Sequence, residues 1–117
     1  MKESILANAS VDFSIEIIDY YKWLVAEYKE YVMSKQILRS GTSIGANIHE
    51  AYYAVSVPDF ISKMQIALKE VSETEYWLKI LKKTGYYSSA FDSLEPHCIE
   101  IKKMLISTLN TIKAKSE

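Results

Sequence analysis

Residues 56–85, SVPDFISKMQIALKEVSETEYWLKILKKTG, decide the fold. The stretch opens on an N-cap. Ser56 offers a hydroxyl to a free backbone N–H, Pro58 occupies the first turn, and Asp59 follows three residues after the cap. It closes on Thr84-Gly85, with Gly85 as the left-handed C-cap. Between these ends Ile61, Met64, Leu68, Val71, Leu78 and Leu81 lie on or beside one stripe of a helix, and Phe60, Ala67, Thr74 and Trp77 form a second. Two apolar stripes on one helix call for neighbours on two sides.

The same periodicity supplies three further helices. Phe13, Ile17, Tyr21, Leu24 and Tyr28 mark the first, over 5–28, and a tight turn near Lys29 and Glu30 follows. The second, over 31–54, has Ile37, Ile44, Ile48, Ala51 and Val55 on its apolar face. Gly41 and Gly45 sit inside it, where each costs about 1 kcal/mol against Ala. Close approach by another helix gives them a reason; a tolerated weak spot is the alternative. The fourth, over 89–113, begins after Ser88 or Ser89 and carries Leu94, Cys98, Ile101, Leu105, Thr108 and Ile112. Pro96 means that this helix either begins near Glu95 or is kinked in its first turn. The tail from Lys113 to Glu117 is expected to fray. Short connections force neighbours to run antiparallel, so the expected fold is all-α, one domain over 1–117, an up-down-up-down four-helix bundle.

Composition agrees. A chain of 117 residues with 49% hydrophobic content is long enough for a core, and 3 Gly and 2 Pro are too few for the turns of an all-β domain. With 14 basic and 15 acidic groups the net charge is -1, unlike that of a strongly basic nucleic-acid binder. One Cys excludes an internal disulfide framework and a Cys-based zinc site. The N-terminus carries Glu3 and Asp12 and no long apolar run, and no segment reaches the roughly 18 apolar residues of a membrane span. A cytoplasmic location, with no membrane partner, is the expectation.

Catalytic constellations are missing. A di-metal bundle uses Glu-x-x-His, which puts both ligands on one helix face. Ala46 stands three residues before His49, and Leu94 three before His97, so neither motif forms. Cys98 lies on the core stripe, and His97 beside it points about 100° away, which suits a core thiol and not a nucleophile. There is no phosphate-binding glycine loop and no GxSxG turn. No enzyme activity, metal or cofactor is expected.

The second helix carries a polar band of Arg39, Ser40, Ser43, Asn47 and Glu50 beside its apolar residues. The third offers Glu70, Glu73 and Thr74. One reading has Arg39 pairing with an acid and Ser43, Asn47 and Glu50 joining a partly buried network that fixes register. The other is a solvated polar face. The stretch from Gln36 to Ala51, QILRSGTSIGANIHEA, resembles the signature of the four-helix-bundle proteins encoded by 23S ribosomal RNA intervening sequences. Gln36, Arg39, Ser40, Ser43, Ile44, Asn47, Ile48, Glu50 and Ala51 match its pattern. Asp59-Phe60, Ala67, Glu70, Glu73 and Tyr76-Trp77-Leu78 fit that family's third helix. The resemblance implies a four-helix bundle assembling as a ring-like homopentamer, without a settled biochemical role. A related branch, basic and nucleic-acid binding, assists a reverse transcriptase; the net charge of -1 departs from it.

Residues 1–28 carry two basic and five acidic groups, whereas 58–87 carry five basic and four acidic. Lys79, Lys82 and Lys83 share a face near the end of the third helix, and Lys102 and Lys103 stand on the fourth. In a ring this patch repeats in every subunit and gains avidity for nucleic acid. Read simply, the same lysines are solvated surface and favourable helix-dipole partners. Six of nine tyrosines come as adjacent pairs. Neighbours on a helix cannot both face one core, so Tyr20, Tyr52 and Tyr53, with Trp77, are candidates for a subunit interface. The function these features suggest is a non-enzymatic oligomeric scaffold that binds structured RNA or an RNA-associated protein. The alternative is a protein-binding adaptor that touches no nucleic acid.

Overall fold

The computed structural model describes residues 4–116. Glu3, Glu117 and the other terminal positions lie outside it. Four helices follow one another: α1 Ile5–Tyr28, α2 Met33–Ala51, α3 Val57–Lys83 and α4 Phe91–Ser116. Each backbone packs closely on two others, in the cyclic order α1, α2, α3, α4, and the diagonal pairs come no nearer than 8 Å between Cα atoms. The bundle measures 49 × 22 × 21 Å. No helix among the described residues is long and apolar enough to cross a membrane.

Paired residues show the antiparallel sense. Ser4 at the start of α1 bonds Tyr52 at the end of α2 (2.8 Å). Glu50 late in α2 meets Lys63 early in α3 (3.4 Å), while Ser40, further back, meets Thr74, further on (2.9 Å). Lys82 faces Glu95 and Glu75 faces Lys102 across α3 and α4. Tyr20 stacks near Phe91 and Glu16 reaches His97 across α1 and α4.

The ends of α1 and α3 fall where the sequence puts them. Ser56 accepts the Asp59 N–H (3.1 Å), and Gly85 takes φ +97° so that the Tyr86 N–H reaches the Leu81 carbonyl (2.9 Å). Ser4 caps α1 in the same way, accepting from Ala7 (3.1 Å). The other two helices differ from expectation. α2 starts two residues later and stops three earlier, so Val55 falls beyond it, 93% exposed, and not on its apolar face. Its start is held from the preceding turn: the Glu30 carboxylate accepts the N–H groups of Val32 and Ser34 (3.1 and 2.7 Å), after Lys29 has reversed the chain at φ +52°. α4 begins at Phe91, after a turn in which the Ser88 hydroxyl accepts the Ala90 N–H (3.0 Å). It keeps Pro96 inside it and runs to Ser116, three residues past the expected end at 113.

The core is one cluster drawn from all four helices. Tyr20, not Tyr21, enters it from α1, and Leu109, not Thr108, from α4. Gly41 and Gly45 let α1 and α2 close. A Cβ on Gly41 would stand 2.8 Å from Ile17, and one on Gly45 would stand 3.2 Å from the Ser10 hydroxyl.

Two outcomes follow from this packing. Ile17 is fully buried and cannot yield. Overpacking of about 1–3 kcal/mol then exceeds the roughly 1 kcal/mol Ala gains as a helix former. Gly41→Ala therefore lowers the urea midpoint, and Gly45→Ala lowers it less. The second concerns the fully buried Ser40–Thr74 hydroxyl pair. Thr74→Val removes the hydroxyl that donates to Ser40, leaving it only the long contact to the Ile37 carbonyl (3.5 Å), and costs about 1–3 kcal/mol; adding Ser40→Ala recovers part of that loss in a double-mutant cycle.

Candidate interaction surfaces

The polar band of α2 divides in three. Arg39 extends over the α2–α3 seam and holds two acids: Nη1 donates to Glu70 (3.0 Å) and Nη2 to Glu73 (2.5 Å). The Trp77 indole N–H donates to the same Glu73 oxygen (3.1 Å). Hydrogen bonds from Arg39, then from Trp77, hold the Glu73 carboxyl below the usual carboxylate range. Arg39 remains about half exposed, with 48% of its side chain in solvent, so this is a surface clamp of modest energy. Ser43 and Asn47 do not join it. Ser43 donates to the Arg39 carbonyl (2.6 Å) and Asn47 to the Ser43 carbonyl (2.8 Å), both one turn back on their own helix. Glu50 pairs with Lys63 instead. The buried hydroxyls that do cross the seam are Ser40 of the polar band and Thr74, which the sequence places both on an apolar stripe and among the polar groups of α3.

The lysines are likewise only partly a patch. Lys79, Lys82 and Lys83 line a groove of about 450 Å³ between α3 and α4, with Glu75, Glu95, Leu78, Cys98 and Ile99. Lys82 is held by Glu95 (3.0 Å) and Lys102 by Glu75 (3.3 Å). Lys79, Lys83 and Lys103 have no ion pair among the described residues, and Lys103 does not line the groove. Cys98 lies at the groove's floor, 1% exposed, and burial pushes its thiol up to about 12. It is a packed core side chain, not a nucleophile at neutral pH.

Of the aromatic candidates, Tyr20 is not available to a partner. It is 1% exposed, donates to the Tyr86 carbonyl (2.8 Å), stacks with Trp23 and meets Phe91 at a tilt. Burial raises its pKa well above the ordinary tyrosine value. Tyr52 is half-buried against Phe60 and bonded to Ser4, and Trp77 is bonded to Glu73. Tyr53, 68% exposed, is the one of the four that stands in solvent.

Sequence reasoning missed one cluster. Glu16 of α1 bonds both Ser93 and His97 of α4, the latter at 2.6 Å through Nδ1. Ser93 approaches that same Nδ1 (3.2 Å), so the histidine does not relay between an acid and a hydroxyl through its two nitrogens. The cluster fastens the α1–α4 seam. Its members lie 77 and 81 residues apart, and no local spacing announces it. Among the described residues no three His, Cys, Asp or Glu side chains gather as metal ligands.

The comparisons with known proteins agree with this architecture. No curated protein matches the chain. A crystal structure at 1.70 Å from Bacteroides thetaiotaomicron, of a protein with unknown function from the S23 ribosomal protein family, is 53% identical. The match covers 90% of this chain and 98% of that one, with a TM-score of 0.87. The sequence profile of the 23S rRNA-intervening sequence proteins matches residues 2–107. With the Arg39 segment, α1 to α3 and most of α4 inside that span, the chain belongs to the 23S rRNA-intervening sequence protein family.

Proposed function

We propose that the protein catalyses no reaction and serves in the cytoplasm as an oligomeric scaffold. Its partner surfaces suit protein: its own copies first, and then an RNA-associated protein. One observation carries this reading. The one thiol, Cys98, is buried and His97 is held by Glu16, while large aliphatic side chains stand in solvent. Ile5 is 80% exposed, and Val11, Ile15, Ile66, Ile99 and Ile106 lie between 40% and 57%. Aliphatic surface spread over three helices gains free energy when a second protein covers it. The ring-like homopentamer that the family resemblance implies is one way to cover it.

Direct contact with structured RNA is the second reading. It rests on Lys103, Lys113 and Lys115 of α4, which are exposed and carry no ion pair among the described residues. Against it stand the pairing of Lys82 and Lys102 with acids and the net charge of -1. Assembly would repeat these lysines in each subunit and raise avidity.

Titrating the purified protein into structured ribosomal RNA fragments over a salt series separates the two. Each phosphate contact contributes a slope of about -0.9 to log affinity against log salt. The protein-scaffold reading predicts no saturable binding at low salt. A steep slope that Lys103→Ala and Lys113→Ala flatten by about two establishes RNA contact instead.

A further inference from the structure

Charge and apolar surface are distributed unevenly over the bundle. On α1, Val11 and Ile15 are 57% and 53% exposed, and half-buried Ile18 continues their line. Spacings of four and three keep them on one stripe, about 10 Å long at 1.5 Å per residue. α1 meets α2 through Ser10, Ser14 and Ile17, and α4 through Glu16 and Tyr20, so the stripe faces away from both. Asp12 and Asp19 flank it, exposed and without an ion pair among the described residues. α1 as a whole holds four carboxylates against Lys22 alone.

The α3–α4 groove has the opposite character. α3 stands diagonally across the bundle from α1. The groove's floor is Leu78 and Cys98, with Ile99 rising from it 47% exposed. Lys79 and Lys83 stand on its rim, exposed and unpaired among the described residues. Two unpaired carboxylates beside an aliphatic stripe thus have a counterpart in two unpaired ammonium groups beside an aliphatic groove.

We infer that the α3–α4 groove of one copy receives the outer face of α1 from a second copy, head to tail. Ile15 and Val11 cover Ile99, and Asp12 and Asp19 meet Lys79 and Lys83. Neither face suits itself. Two α1 stripes would bring carboxylates together and two grooves would bring lysines together, and like charges across an interface are costly. Each copy carries both halves on different sides, so the contact is heterologous and closes into a ring where the rotation permits. The inference rests on the oligomeric reading above and adds to it which surfaces meet.

Light scattering on the full chain tests it, with wild type, Ile15→Asp, Ile99→Asp and an equimolar mixture of the two variants. Both positions are exposed, and circular dichroism checks that each variant stays helical. Each variant alone is expected to have the mass of a single chain. The mixture is expected to give a species of twice that mass and no larger, because one intact stripe and one intact groove remain. Assembly of either variant to the wild-type mass, or a mixture that stays single, overturns the head-to-tail contact while leaving oligomerisation standing. A wild type that is itself a single chain overturns both. A charge exchange gives an independent reading: Asp19→Lys weakens assembly at least tenfold, and Lys83→Glu added to it restores the wild-type mass.

Discussion

α1 and α2 approach so closely that the volume of one β-carbon at position 41 is already taken by Ile17. Most of the arrangement depends on this constraint. With Gly41 and Gly45 turned to α1, backbone and not side chain forms that seam, and Ser10 and Ser14 fill the space beside it. Their hydroxyls donate to carbonyls of their own helix, so nothing polar is left open between the helices. The face of α2 turned to α3 is then free to carry longer groups. There the buried Ser40–Thr74 pair sits beneath the Arg39 clamp, a small polar contact inside and a large one at the rim. A helix offering glycine on one side and arginine on the other fits between its neighbours in one rotational setting.

What the sequence shows and what it hides follow from how local each cause is. α1 and α3 are legible to the residue because their caps act within a few positions, as with Ser56 on Asp59 or Gly85 beneath Tyr86. The start of α2 is not, because Val32 has no capping side chain of its own and the carboxylate of Glu30 does that work from the turn. Tyr20 and Tyr21 both fit a helical spacing. Packing against Phe91 and Trp23, far along the chain or one turn on, decides that Tyr20 enters the core. Ser43 and Asn47 show the opposite case. Their types invite a network across helices, but a carbonyl one turn back is always within reach, and both take it. The Glu16–Ser93–His97 fastening is closed to sequence reading altogether, since its geometry exists only once α4 lies against α1.

Charge is shared unevenly among the four seams. Two of the four seams carry ion pairs, Arg39 with Glu70 and Glu73 and Lys63 with Glu50 between α2 and α3, and Lys82 with Glu95 and Lys102 with Glu75 between α3 and α4; between α4 and α1, His97 is hydrogen-bonded to Glu16. Among the described residues the α1–α2 seam has none, and it is the one closed by glycine. A seam built by backbone contact has no width for a lysine or arginine stem to cross it. On the α4 side of α1, Glu16 takes His97, while Asp12 and Asp19 remain in solvent. An exposed acidic helix with an aliphatic stripe costs a lone domain little, since water solvates the carboxylates. It becomes useful where a second surface supplies both the cations and the apolar cover. In the contact inferred above, the α3–α4 groove has that role, since its own acids take Lys82 and Lys102 and leave Lys79 and Lys83 without an ion pair among the described residues.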